Sequence, residues 1–189
     1  MSYTYDWTSD RIPLWLPHVE HLVGREKINA LEIGCFEGRT TVWMLENILT
    51  HPTSRIVCVD PFVPNSGLNI GGNELTYQYL DRFVENTLPY RKQVRIIQAY
   101  SQEISSDILW RFTNGYDLIY IDASHMPDPT VHEAELAWLV ANQGAIIIFD
   151  DYGGSLKDAV AEWKKPFVDA GRAEVLHEAY QLIIKAIKP

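Results

Sequence analysis

Apolar residues in this chain fall into short, nearly continuous runs, separated by longer stretches in which they recur every three or four positions. Lys27 to Ile33 (KINALEI), Arg55 to Val59 (RIVCV), Val94 to Gln98 (VRIIQ), Tyr116 to Ile121 (YDLIYI) and Gly144 to Phe149 (GAIIIF) have the length and β-branched content of strands. Between them, Thr40 to Leu49, Glu74 to Leu88, Thr130 to Ala141 and Ser155 to Phe167 read as helices; Val42, Leu45 and Leu49 illustrate the spacing. Ser101 is placed to cap one more helix, running to about Phe112 with Glu103 and Ile104 in its first turn. Strands alternating with helices, and apolar at almost every position, predict an α/β fold: a doubly wound, mostly parallel sheet covered on both faces. GAIIIF is expected near its centre. Arg172 to Leu176 and Tyr180 to Ile187 are expected to close the sheet as a hairpin-like pair, contributing an antiparallel C-terminal strand.

Two segments fall outside this alternation. Residues 1–26 are aromatic and broken by proline, with a short helical piece near His18 to Val23, and read as a lid or subunit-contact segment. Pro61 to Asn73 (PFVPNSGLNIGGN) is a long loop without periodicity; such loops inside a domain are often functional. There is no internal repeat or interdomain linker, and 189 residues suffice for one core, so 1–189 is read as a single domain. The net charge of -9 argues against a large nucleic-acid footprint. No apolar run approaches the roughly 18 residues of a membrane span, and the first ten residues do not resemble a secretory signal. Cys35 and Cys58 lie in apolar segments, as reduced thiols would, and a cytoplasmic location is expected.

In doubly wound sheets, ligands bind beyond the carboxyl ends of the strands. The first strand ends in Glu32-Ile33-Gly34-Cys35-Phe36-Glu37-Gly38, a glycine-spaced turn with a carboxylate beside it. This is neither the G-x-G-x-x-G pattern of dinucleotide sites nor a phosphate loop, and an acid here suits a cationic ligand better than a pyrophosphate. The second strand leads into Asp60, which is either a bidentate acceptor for two ribose hydroxyls or a loop cap. The third leads into Tyr100-Ser101-Gln102-Glu103. The fourth and fifth end in Asp122-Ala123-Ser124-His125 and Asp150-Asp151-Tyr152. Three carboxylates at one mouth repel one another, so either their pKa values rise or a cation sits among them; a hard divalent ion such as Mg²⁺ suits oxygen ligands. Taken alone, Asp150 and Asp151 read equally well as a helix cap. The glycine turn and the acids carry the sequence-level case.

These strand ends resemble, in order, those of the class I methyltransferases that use S-adenosylmethionine. The acidic-x-Gly-x-x-x-Gly turn is similar to the first motif of that Rossmann-like family. The resemblance implies that Glu32, Gly34, Cys35, Phe36 and Gly38 wrap the amino-acid part of the cofactor, with Asp60 on its ribose. Ser101-Gln102 resembles the pair that holds adenine in catechol-type O-methyltransferases. The whole constellation, over roughly Ala30 to Tyr152, resembles the metal-dependent O-methyltransferases, and most closely the macrocin and mycinamicin sugar enzymes. There the resemblance implies Asp122, Asp150 and Asp151 as metal ligands. The catechol enzymes have Asp-Asn at the last pair, whereas this chain has Asp-Asp. His125 falls where the catechol enzymes keep a lysine base and the sugar enzymes a histidine.

The implied reaction is Mg²⁺-assisted methyl transfer to a hydroxyl of a small molecule, a sugar or a natural-product scaffold. An imidazole titrating near 6.5 can take the hydroxyl proton, which gives His125 the role of base, with orientation of a loop carboxylate as its alternative. Two competing functions remain open: a metal-independent N- or peptide methyltransferase, and a catalytically silent subunit that binds the cofactor. A link to cephalosporin hydroxylation is also conceivable from this branch of the family. Tyr3, Tyr5, Trp7, Trp15 and the Pro61 to Asn73 loop are candidates for the acceptor pocket, or equally for core or subunit contacts, and a homodimer is a candidate assembly. His51, His132 and His177 are expected at the surface, and no zinc site or G-x-S-x-G nucleophile elbow is seen.

Overall fold

The five apolar runs become five parallel strands in the computed structural model, which describes residues 1–63 and 79–188. These are β1 (Asn29–Ile33), β2 (Arg55–Asp60), β3 (Val94–Gln98), β4 (Tyr116–Ile121) and β5 (Ala141–Phe149). The C-terminal pair is β6 (Ala173–Glu178) and β7 (Leu182–Ala186), and all seven join one sheet in the order β3-β2-β1-β4-β5-β7-β6. β7 pairs antiparallel with both β5 and β6, so it is the one strand running against the rest. The order reverses between β1 and β4, which marks the switch point of a doubly wound sheet.

Alternation along the strands separates two apolar layers. Leu31, Ile33, Ile119, Ile147 and Phe149 pack on one face with Leu136 and Trp138 of helix α5 (Pro127–Val140) and Val160 of α6 (Lys157–Asp169). Ala30, Cys58, Tyr120, Ile146 and Ile148 pack on the other with Trp15 and Val19 of α1 (Ile12–Val19), Met44 and Leu45 of α2 (Arg39–Asn47), and Phe83 of α3 (Tyr79–Thr87). Each fully buried aliphatic side chain contributes about 1.5–3 kcal/mol, so the ends of β1, β4 and β5 form a firm platform. Among the described residues, no helix is long and apolar enough to cross a membrane.

Several boundaries differ from expectation. The helix foreseen near His18 begins earlier, at Ile12, because Pro13 suits a first helical turn and Trp15 and Val19 form a buried i, i+4 pair. The helix foreseen from Ser101 to Phe112 is broken into a 3-10 turn (Ser101–Glu103) and the short α4 (Ser106–Leu109). Ile104 and Ser105 between them are extended, with Ile104 anchored in the core. Ser101 does not cap a helix; its hydroxyl goes to Glu133. α5 starts at Pro127 and runs straight into β5 at Ala141, three residues before the apolar run. Of the long loop, 64–73 lies outside the described residues, as does the foreseen start of the helix at 74–78.

Candidate active site

The turn after β1 is held by its neighbours. Gly34 has φ +88°, and a Cβ there would stand 2.0 Å from the Asp122 carbonyl oxygen, so the backbone that approaches Gly34 is the protein's own. Phe36 and Gly38 also have positive φ, 47° and 80°, which curl the chain into α2. Asp60 ties the turn down: Oδ2 accepts the Cys35 and Phe36 N–H groups at 2.7 and 3.0 Å, and Oδ1 accepts that of Phe62 at 2.6 Å. Burial raises the Asp60 pKa, and these backbone donors oppose the rise. The loop-cap role is therefore present in the fold; Oδ2 has both lone pairs engaged, while Oδ1 keeps one for a ligand hydroxyl.

Glu32 points to the opposite face of β1 and is buried, accepting the Thr41 hydroxyl of α2. Its carboxyl, Cys35 Sγ and Cys58 Sγ lie within 4.8 Å of one another, closer company for the cysteines than the sequence suggested. Burial raises both thiol pKa values, which keeps this cluster neutral. Burial also pushes Glu32 up from 4.5 to about 8, against the Thr41 bond. Between those values the unfolded chain ionises this carboxyl while the folded chain keeps its proton, so rising pH favours unfolding. Glu32→Gln removes the difference. Its stability in urea is expected to fall less than the wild type's from about pH 5 to 8, by a few kcal/mol. Equal losses in the two proteins would show that the carboxylate is ionised in the fold.

At the end of β3, Ser101 is buried and Gln102 exposed. Ser101 Oγ donates to Glu133 Oε1 at 2.6 Å, while Glu103 turns back to accept the Tyr100 N–H at 3.0 Å. Glu133 is fully buried, and burial raises its pKa to about 7, opposed by Ser101 and by nearby Ser124. Sequence reading missed it. The available signal was an acid in the inward stripe Thr130, Glu133, Ala134 and Ala137 of α5.

β4 and β5 pair in register through Ile121 and Phe149, so Asp122 and Asp150 leave the sheet side by side. The Asp122 N–H donates to Ile33 O at 2.8 Å and the Asp150 N–H to Ile121 O at 2.9 Å, which locks both to the platform. Asp151 has φ +52°. His125 Nδ1 lies 2.9 Å from Asp151 Oδ2, and Asp122, His125 and Asp151 each bring one ligand atom within 4.8 Å of the other two. Asp150 is outside that group: its Oδ1 accepts from Gln181 Nε2 of the β6–β7 connection at 2.6 Å. Burial drives the Asp122 pKa well up, and Asp150, Asp151, Glu32 and Glu133 add to the rise. The Asp151 bond raises the His125 pKa. This is a concentration of negative charge that a cation would relieve.

The N-terminal segment lies against this end of the sheet. The Thr4 N–H donates to Glu37 Oε2 at 2.6 Å, the Ser2 N–H to Asn86 Oδ1 at 3.0 Å, and Arg82 pairs with Glu37 at 2.7 Å. Trp7 packs between Tyr5 and Phe36, with ring centroids at 5.1 and 5.3 Å. Trp15 is a core residue instead, wedged between Trp43 and Tyr120 and sealed from solvent, because it falls on the inward face of α1. The Arg11 guanidinium stacks 3.8 Å from the Tyr180 ring centre, and its charge opposes the rise at Asp150. His132 and His177 are half-buried rather than surface residues, because each Nε2 is covered by the packed elements around it.

Residues 31–152, more than half of the chain, match a family model described as a methyltransferase domain. The chain belongs to this methyltransferase domain family. The matched span runs from β1 to Tyr152 and so contains the glycine turn, Asp60, Ser101, Asp122 and both acids after β5. An uncharacterized protein of Acanthamoeba polyphaga mimivirus is 28% identical over 141 residues, 72% of this chain and 57% of its own length. The chain thus spans little more than half the length of that relative. The fold of this methyltransferase domain is similar to that of an O-methyltransferase from Bacillus cereus in complex with SAH, with TM-score 0.69, 15% identity, and coverage of 98% of this chain and 84% of that one. It is also similar to TomG, an O-methyltransferase of Streptomyces achromogenes involved in tomaymycin synthesis and in complex with SAM, with TM-score 0.68, 13% identity, and coverage of 97% and 82%.

Proposed function

We propose that the protein transfers the methyl group of S-adenosylmethionine to a hydroxyl of a small molecule, a sugar or natural-product scaffold, with a divalent cation, Mg²⁺, at the acidic mouth. The observation that carries this reading is the convergence of Asp122, Asp151 and His125 within 4.8 Å at the switch side of the sheet. The site has the donors each group requires. The glycine turn leaves Asp60 with acceptor capacity on Oδ1 for a ribose hydroxyl. Asp122 and Asp151 offer the hard oxygens Mg²⁺ takes, with Asp150 held next to them by Gln181.

Bound there, the cofactor supplies an electrophilic methyl and the cation lowers the acceptor's hydroxyl pKa. The chain does the rest. Asp151 holds His125 through Nδ1, which leaves Nε2 as the second ring nitrogen for a proton, and the imidazole is half-exposed. Nε2 would take the acceptor's hydroxyl proton, leaving that oxygen free for the methyl the cofactor would supply. The paired ends of β1, β4 and β5 would keep these side chains in fixed register around a bound acceptor.

Methyl transfer from radiolabelled S-adenosylmethionine to a panel of hydroxylated sugars and phenols tests this. Transfer is expected to stop in excess EDTA and return with Mg²⁺. Full activity in chelator, or transfer confined to amines, would replace this reading with a metal-independent N-methyltransferase.

A further inference from the structure

A cavity of about 100 Å³ lies at the amino ends of β1, β2, β3 and β4. Along the strands it is about 15 Å from the acidic mouth, at the opposite end of the sheet. The β3–β4 connection carries only the four-residue α4, and Phe112 and Thr113 beyond it line the cavity with the strand starts. Its polar lining is Arg55, Arg95, Asn29 and Thr113, the rings of Phe112 and Tyr116 are part of its apolar lining, and no acid lines it. In a chain of net charge -9 this is a local inversion of sign.

Register puts the two arginines on one face. Arg95 pairs with Val57 across β2 and β3, and Arg55 lies two residues before Val57. Among the described residues neither arginine forms an ion pair. Arg55 Nη1 donates to the Pro52 and Ser54 carbonyls at 2.6 and 2.8 Å, and Arg95 Nη1 to the Val94 carbonyl at 2.8 Å. These bonds tether each fork without cancelling its charge, and Nε and Nη2 of both keep donor capacity. Asp117 accepts the Asn29 N–H at 2.9 Å and the Asn142 amide at 2.8 Å, but it does not line the cavity. Two like charges on neighbouring strands repel unless an opposite charge comes between them. We infer that this cavity is a second ligand site, taking a small oxyanion, the phosphate or carboxylate group of a small molecule, between the Arg55 and Arg95 guanidiniums. A guanidinium fork matches two oxygens of such a group, and the space is several times what one water needs. The inference stands apart from the proposed methyl transfer, whose site attracts the opposite charge.

Calorimetric titration with inorganic phosphate and with acetate tests it, in EDTA so that no metal bridges an anion to the acidic mouth. Saturable binding of one anion per chain is expected. Arg55→Gln and Arg95→Gln are each expected to weaken it by about tenfold or more, since each removes charged hydrogen bonds. Arg95→Lys keeps the charge but not the fork and is expected to recover only part of the loss. Arg91→Gln removes the same charge just before β3 without touching the cavity, and is expected to stay within about threefold of wild type. No saturable binding of either anion below about 10 mM overturns the inference. So does binding that Arg91→Gln weakens as much as the cavity variants do. If Arg55→Gln does not fold without its bonds to Pro52 and Ser54, the exposed Arg95 decides: unchanged affinity in Arg95→Gln overturns the site. Either anion binding with this dependence on the arginines supports it, and the tighter of the two identifies the group.

Discussion

Asp122→Asn is expected to slow methyl transfer by about 10²–10³-fold while S-adenosylmethionine still binds. Asp122 is the acid most strongly pressed by its surroundings: desolvation drives its pKa well up, and four other carboxyl groups raise it further. In the proposed reaction the ion that relieves this crowding also activates the acceptor hydroxyl. An amide keeps the shape and the backbone bond to Ile33 but withdraws the charged oxygen ligand. The same change removes an acid that ionises more easily in the unfolded chain than in the fold. In chelator, Asp122→Asn is therefore expected to unfold at a temperature a few degrees above the wild type, about 2–4 °C for each kcal/mol gained. The two readouts move in opposite directions, as at a site where function is kept at the expense of stability. Single-turnover transfer and thermal unfolding in EDTA check the pair. A rate within about threefold of wild type would remove Asp122 from the reaction.

Gly34→Ala is expected to destabilise the fold by more than about 3 kcal/mol, and to do so without touching any ligand. Two effects add. The residue has φ +88°, which an L side chain rarely adopts, and its Cβ would stand 2.0, 2.5 and 2.7 Å from the Asp122 oxygen, the Asp122 carbonyl carbon and the Ala123 Cα. All three are main-chain atoms at the ends of paired strands, so no rotamer change relieves the clash. Gly144 separates the two effects. It has φ +80° but nothing within 4 Å of its Cβ position, so Gly144→Ala carries the conformational strain alone, about 1–2 kcal/mol. Urea denaturation of both variants is the measurement. Equal midpoints would mean that β1 and β4 have slack at their ends, and the proposed reaction centre would lose its rigid base.

What was legible in the sequence follows from short-range physics. Nearly continuous apolar runs placed the five parallel strands, since strands buried on both faces need apolar side chains at nearly every position. Chemistry at strand ends was legible for the same reason: polar residues that interrupt an apolar run at its carboxyl end stand where doubly wound sheets bind ligands. The failures lie where a long-range contact overrides a local signal. Ser101 looks like a helix cap, but its hydroxyl finds Glu133 thirty-two residues away. Trp15, which the sequence left open between acceptor pocket, core and subunit contact, is settled in the core by α1.

From the sequence alone came the layered α/β architecture, the order of the strand-end motifs and the crowding of acids after β4 and β5, because each depends on residues close together in the chain. Only the tertiary structure decided which groups share a site. It set Asp151 and His125 beside Asp122, gave Asp150 to Gln181, pressed Gly34 against the Asp122 backbone and placed Glu133 under Ser101. Those are distances of a few ångströms between elements far apart in the chain, and they exist only once register and helix packing bring the ends of different strands together.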